Sequence, residues 1–298
     1  MRGKNHKGGT VCRLISVAAL VLAAPAHAQW SSQFEAGYLY DDNLSRAQRP
    51  EDKIRDSALI ARALLTRDFV LGADTDSHIG LDGRITRYSA SHGASFVGLG
   101  LVAGARRKLG LGRTAPWVAL DASASYEDAR EDVRDAARYG LSATAGKRFT
   151  PELEASAGFA YDRRVQREAE EEEVPGYGVK PFSLQGRSVF ARASYALGER
   201  AALIGALAVR HGDVVSSTRR NFGIFTASNA IADDLALGSD FYAYRLSGAR
   251  TTSLSGGISW SLNPRSALEA TLTKDDTAVR GGLDYRAVIF ALTFVHRR

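Results

Sequence analysis

Apolar and polar residues alternate with a period of two from Trp30 onward, which is the pattern of β-strands. In residues 118–126, valine, leucine, alanine and tyrosine occupy one face, and alanine, aspartate and serine occupy the other. The alternation predicts about twelve strands, most of them long enough for the roughly 9–11 residues of a tilted transmembrane strand. The predicted strands lie near 30–42, 57–72, 77–90, 95–109, 116–128, 138–149, 153–165, 185–198, 201–213, 248–262, 266–276 and 283–296.

Short and long connections alternate between these strands. The short ones fall at 73–76, 110–115, 150–152, 199–200 and 263–265 and are rich in turn-forming residues. The long ones fall at 41–56, 129–137, 166–184, 214–247 and 277–282, and a compact segment at 91–94 takes the place of one. This arrangement is typical of an all-β, antiparallel transmembrane barrel with both termini on the side of the short turns.

Aromatic residues cluster at the strand ends, as in an interfacial girdle, with examples at Tyr38, Tyr40, Tyr139 and Trp260. With these features, the chain from Trp30 to Phe294 resembles the broad class of Gram-negative outer-membrane β-barrels of porin-like type. The resemblance implies contact with outer-membrane lipid and lipopolysaccharide, and insertion by the barrel-assembly machinery. Members of this class usually finish on an aromatic residue, whereas here four residues follow Phe294.

The first 28 residues read as a secretory signal peptide, which leaves a barrel domain over 29–298. A basic stretch precedes the apolar run 14–24, and Ala26-His27-Ala28 is a small-x-small cleavage pattern. The only cysteine, Cys12, lies before the apolar core and would leave with the signal. We therefore expect no disulfide or thiolate site in the mature chain, and no cofactor or metal.

Charge excludes nucleic acid as a partner. The formal net charge is +6, and four of the cations lie within residues 1–28, so the mature chain has a net charge of about +2. This charge is too balanced to imply nucleic-acid binding.

The small and polar strand face predicts a charged barrel interior. The predicted lumen-lining residues are Arg62, Arg84, Arg106, Arg148, Arg192, Arg210, Asp82, Asp121 and Glu154. One interpretation is a structural lattice of ion pairs, because unpaired desolvated charges are costly. The other is a narrow conduit in which arginines guide small polar or anionic solutes, since many inward residues are glycine or serine and leave free volume.

Two external segments leave alternatives open. Residues 214–247 are unusually apolar for a loop and either fold inward as a plug or pack on their neighbours as a strand extension. The acidic run 168–173 is a solvated loop or a site for divalent ions that bridge lipopolysaccharide.

A catalytic role finds little support in the sequence. His92 with Ser95, and His211 with Asp213, Ser216 and Ser217, are the candidate hydrolase clusters, but neither stands in a lipase motif. We expect a non-enzymatic porin-like barrel. The alternative is a closed structural or export-accessory barrel whose external loops bind an envelope partner or a polysaccharide.

Overall fold

The computed structural model describes residues 29–167 and 177–298. The predicted signal peptide and the acidic run 168–173 lie outside these residues. Twelve strands form a closed antiparallel barrel, and a thirteenth, β10, lies outside the ring. The strands are β1 (Gln29–Asp41), β2 (Asp56–Gly72), β3 (Thr75–Tyr88), β4 (Phe96–Lys108), β5 (Trp117–Ala129), β6 (Ala136–Arg148), β7 (Leu153–Gln166), β8 (Leu184–Ala196), β9 (Ala201–Thr218), β10 (Ala230–Asp233), β11 (Tyr242–Asn263), β12 (Ser266–Val279) and β13 (Leu283–Arg297).

Two non-consecutive pairings close the ring. β13 pairs with β1 from Gln33↔Arg297 to Asp41↔Ile289. β9 pairs with β11 from Tyr242↔Thr218 to Trp260↔Ala201, with a bulge between Leu246 and Ala249. Because the sheet has no open edge within the ring, its backbone N–H and C=O groups are paired, as the lipid interior requires.

The barrel exterior is apolar. Large side chains such as Leu59, Leu99, Leu141, Leu207 and Leu272 are exposed, each on the outward face of its strand. Residues of the opposite parity face inward and include most of the glycines, serines and charged groups of the strands. The predicted fold class and strand alternation are therefore confirmed.

Among the described residues, no helix is long and apolar enough to cross a membrane.

The short turns and both chain ends lie at one end of the barrel, and the long connections lie at the other. In outer-membrane barrels the short turns are periplasmic, so the long connections mark the external end. Short helical turns occur in three of them, at Pro50–Asp52, His92–Ala94 and Asp132–Arg134.

The connection between β9 and β11 folds into a compact structure that we call the cap, residues 219–241. It contains the helix α1 (Phe222–Ala227) and the strand β10, which pairs with β11 beyond the ring. Ile224 and Ile231 of the cap are buried against Tyr244, Leu246 and neighbouring side chains. This small apolar core explains why the segment is so rich in hydrophobic residues.

The strands next to the cap are longer than predicted. The alternation ended at 213 and resumed at 248, whereas β9 runs to Thr218 and β11 begins at Tyr242. The bulge at Leu246–Ala249 shifts the period and hides the extension from sequence reasoning. The strand extension is thus present, and the rest of the segment packs on its neighbours.

We predict that Leu272→Arg lowers the free energy of unfolding by about 2–4 kcal/mol in a bilayer, because arginine on the lipid face near the midplane is costly. Leu272 is 55% exposed on the outward face. Denaturant titration in liposomes, followed by tryptophan fluorescence, measures the change. Leu111→Arg is the matched control, since Leu111 is 94% exposed in a periplasmic turn; an equal loss in both variants would contradict a lipid-facing position for Leu272.

Candidate functional site

The middle of the inner wall carries an ion-pair cluster on β2 and β3. Arg62 Nε lies 2.7 Å from Asp82 Oδ1, and Arg84 Nε donates to Asp82 Oδ2 at 2.8 Å. Glu35 on β1 approaches Arg62 at 3.8 Å. Asp82 is almost fully buried, so its charge depends on both arginines, since a buried unpaired carboxylate would be strongly destabilising.

Two glycines let charged side chains pair across an intervening strand. A Cβ at Gly186 on β8 would lie within 2.6 Å of the Arg210 guanidinium, which crosses this position to bind Asp162 on β7 at 2.8 Å. A Cβ at Gly104 on β4 would lie 2.4 Å from Asp121 and 2.5 Å from His78. The pattern of small inward residues therefore provides the space in which these charges meet.

A cavity of about 680 Å³ lies at the periplasmic end of the barrel. Arg106 and Arg192 line it, together with Asp68, Asp121 and Trp117. The Arg106 guanidinium stacks 3.9 Å from the Trp117 ring. Within the described chain, neither Arg106 nor Arg192 forms an ion pair, and the Arg192 guanidinium lies 4.6 Å from the centre of the Phe190 ring.

A second cavity of about 330 Å³ adjoins the first, and the two share Ser156 and Arg192. Glu154 also lines it and lies 3.3 Å from Arg148. Its other walls come from small side chains such as Ser255 and Ala206.

The external end holds a cavity of about 650 Å³ that we call the vestibule. Arginines outnumber acids in its lining, because the acids that pair with four of these arginines lie behind the lining. The lining includes Arg46, Arg134, Arg138, Arg164 and Arg210 against Asp162 and Asp213. Arg163 also borders the cavity, but its side chain has the outward parity of Phe159 on β7. The guanidinium groups therefore form much of the vestibule surface, while the acids that balance their charge lie behind them.

The arginines of the vestibule are held by acids behind them. Arg138 and Arg164 share Glu127, at 2.9 and 3.5 Å. Arg46 in the external loop binds Asp41 at 2.8 Å. Although burial opposes its charge, the hydrogen-bonded Asp41 carboxylate raises the pKa of the Arg46 guanidinium above its ordinary value, so the group stays ionised.

The cap spans the mouth above the vestibule. In the ring order, β3 and β4 lie opposite β9 and β11, from which the cap extends. Even so, Ala236 of the cap packs on Gly93 in the connection between β3 and β4, where an added Cβ would lie 2.7 Å from the Ala236 Cα. Arg219 pairs with Asp52 of the β1–β2 connection at 3.2 Å. A β-bridge joins Gly178 to Ala230. The cap therefore contacts connections all around the rim and lies over the bore, not within it.

One buried ion pair anchors the cap to the connection between β5 and β6. Asp234 is fully buried, and both of its carboxylate oxygens accept hydrogen bonds from Arg134, the shorter at 2.6 Å. Ser217 Oγ donates to Asp234 Oδ2 at 2.5 Å. Because the charges are desolvated, loss of one partner is costly.

All nine residues predicted to line the lumen lie on the strand face opposite the exposed apolar side chains. The structure does not join them in one ladder. The mid-wall cluster contains Arg62, Arg84 and Asp82. The periplasmic cavity is lined by Arg106, Arg192 and Asp121, and beside it Arg148 pairs with Glu154. The vestibule contains Arg210. Their role in lining a conduit stays a prediction.

Sequence reasoning missed three arginines of the vestibule. Arg46 and Arg134 lie in connections, where a strand period gives no direction. Arg138 has the parity of Ser142 and Arg148 on β6 and could have been found by extending the alternation to the strand end.

The candidate hydrolase clusters do not assemble a nucleophile and a base. His92 Nδ1 contacts the Tyr88 carbonyl oxygen at 3.0 Å, and Ser95 Oγ accepts from the Tyr88 N–H. Ser216 and Ser217 donate to Arg46 O and to Asp234, and His211 points outward. Over the two described ranges, no three His, Cys, Asp or Glu residues group as metal ligands.

No protein-family model and no curated protein sequence matches the chain. Solved structures do match. An outer membrane channel from Pseudomonas putida F1 gives a TM-score of 0.56 at 12% identity and covers 93% of this chain and 97% of that one. The outer membrane channel DcaP of Acinetobacter baumannii gives a TM-score of 0.45 at 9% identity, and the match covers 91% of this chain and 97% of that one. The NanC porin gives a TM-score of 0.47 at 8% identity, and the match covers 89% of this chain and 99% of that one.

The chain thus shares the closed barrel fold of the P. putida channel. Its exposed apolar exterior would be unstable in water. Fold and exterior place the protein in the bacterial outer membrane, as the resemblance implied.

We predict that Asp234→Asn loosens the cap while the barrel stays folded, because breaking a buried ion pair costs about 3–5 kcal/mol. Trypsin should cleave after Arg219 or Arg220 several times faster in the variant, with unchanged heat-modifiable migration of the core. Asp233→Asn is the control, since Asp233 is exposed and next in sequence. Equal cleavage of the two variants would show that the Arg134–Asp234 pair does not hold the cap.

Proposed function

We propose that the protein is a porin-like channel that passes or binds small anionic solutes through a narrow, charged lumen. The observation that carries the proposal is the vestibule, whose lining presents five arginines and two aspartates to the bore. Barrels of about 8 strands are filled by side chains, and those of about 16–18 hold wide aqueous channels. A twelve-stranded ring with glycine and serine on its inner wall has room for a narrow path.

The proposed path runs from the vestibule past the mid-wall cluster to the periplasmic cavity. Along it, Arg210 would receive the anion externally, Arg62 and Arg84 would pass it along the wall, and Arg106 and Arg192 would hold it at the periplasmic end. Arginine suits this role because its planar guanidinium binds carboxylate or phosphate in bidentate geometry. The proposed function is transport or binding, without catalysis. Export through a signal peptide over 1–28 and insertion by the assembly machinery remain predictions.

The cap favours a second candidate, a closed structural or export-accessory barrel. It lies across the mouth and is fixed by a fully buried ion pair. In that case, the external loops would bind an envelope partner or polysaccharide and the lumen would carry no current.

Planar-bilayer recordings of the refolded protein test the channel hypothesis. We predict steady conductance with a chloride preference, and a shift of the reversal potential toward zero in the double variant Arg138→Gln/Arg210→Gln, which removes two vestibule charges. The recordings belong at about 0.1 M salt or below, where the Debye length is about 10 Å. Arg87→Gln is the matched control, because Arg87 is exposed on the outward face of β3.

Each outcome is informative. Unchanged selectivity in the double variant would contradict an anion path through the vestibule. If the wild type is silent and Asp234→Asn conducts, the cap is the barrier of a channel. If both are folded and silent, the closed accessory barrel is correct and the channel hypothesis is wrong.

A further inference from the structure

Three basic side chains form a row on the outside of the barrel. Arg187 on β8 pairs in register with His211 on β9, and His211 pairs with Arg250 on β11. All three are exposed and have the outward parity of Val189, Leu207 and Leu254 on the same strands. Directly opposed side chains on neighbouring strands have Cβ atoms about 4.5–5.5 Å apart. We call these three residues the basic row.

No acidic residue lies directly opposite a residue of the basic row. Within the described ranges, none of its three residues forms an ion pair, although like charges across a strand pair are destabilising. The nearest acid on β9, Asp213, accepts hydrogen bonds from Gln185 N at 3.2 Å and Ser247 Oγ at 2.6 Å. Arg163 on β7, exposed on the same face, adds a further cation beside the row. On β12, Asp276 faces outward diagonally from Arg250, and it is already paired with Lys274 at 3.1 Å and Arg286 at 2.9 Å. The basic side chains of this face therefore outnumber its acids.

The height of the row matches the headgroups of the outer leaflet. His211 lies ten residues beyond Ala201, the first residue after a periplasmic turn. With a rise of about 3.3 Å per residue and a tilt of about 40°, the row is about 25 Å above that turn, at the external edge of the apolar band.

A largely apolar groove lies on the lipid side of the barrel, between the row and the periplasmic end. It has a volume of about 700 Å³ and extends from the strands that carry the row across β7 to Lys147 and Phe149 at the periplasmic end of β6. Its walls include Ala191 and Ala193 on β8, Gly205 and Leu207 on β9, and Leu254 on β11. The exposed Val189 lies between the row and the groove. A lipid has a matching arrangement, with an anionic headgroup at the membrane surface and acyl chains that extend from it into the apolar interior.

We propose that the basic row and the apolar groove form one binding site for a phosphorylated glycolipid of the outer leaflet. The phosphate lies across Arg187 and Arg250, with His211 between them as a hydrogen-bond donor, and an acyl chain lies in the groove. Arginine binds phosphate through charge-assisted bidentate hydrogen bonds, and the groove shelters methylene groups against its small side chains. This site lies on the outer surface of the barrel, not in the lumen, and does not depend on the channel hypothesis.

Native mass spectrometry of the folded full barrel in detergent, titrated with bisphosphorylated lipid A, tests the proposal. We expect Arg187→Gln/Arg250→Gln to weaken binding about tenfold or more, because two charge-assisted contacts to phosphate are lost. Gly205→Leu should also weaken it, since a Cβ there meets nothing closer than 3.8 Å and the side chain fills the groove without a clash. Arg87→Gln, on the far side of the barrel, is the matched control with wild-type affinity, and heat-modifiable migration checks folding.

Two further ligands separate the sources of the signal. Dephosphorylated lipid A should bind wild type about tenfold more weakly, and inorganic phosphate alone should not bind at comparable concentration. Equal affinity of wild type and the double arginine variant would overturn the proposal. So would equal binding of dephosphorylated lipid A, which would indicate an apolar groove only, or tight binding of inorganic phosphate, which would indicate a free-anion site.

Discussion

The structure depends on the pairing of β13 with β1, which turns a sheet into a ring. In a bilayer there is no water to satisfy an open strand edge, so the closure from Gln33↔Arg297 to Asp41↔Ile289 permits the rest of the chain to span the membrane. Closure also fixes two surfaces at once, because successive side chains point to opposite faces. One face supplies the apolar exterior, and the other can carry charges that lipid would reject.

The inner wall solves the problem of buried charge in two ways. In the middle, Arg62 and Arg84 share the buried Asp82, and Glu35 approaches Arg62 as a second acid. Toward the external end, the acids stand behind the arginines, so Glu127 holds Arg138 and Arg164 while their cationic side faces the vestibule. The structural ion-pair lattice and the proposed anion path are therefore compatible, since the same acids that stabilise the arginines also fix their direction.

Side chains alternate between the two faces of each strand, so the outward charges face lipid and not the interior of the protein. Residues next to each other in the chain, Arg210 and His211, face the vestibule and the lipid side respectively. Most arginines of the inner wall pair with acids of the protein, such as Asp82, Glu127 and Asp162. Within the described residues the basic row forms no ion pair, and it lies at the level of the lipid headgroups. Above both surfaces, the cap joins the rim into one unit through its own small core and the Arg134–Asp234 pair.

The sequence by itself determined the fold class, the twelve strands and the face on which each side chain lies, because a period of two is a local property of extended backbone. It also located the apolar segment that became the cap. Only the tertiary structure decided which charges meet, since the Arg210–Asp162 contact depends on register and on the space at Gly186, and the Arg134–Asp234 pair joins residues a hundred positions apart. The bulge in β11 and the path of the cap across the mouth were likewise invisible to periodicity, because long-range packing set them and no local pattern records it.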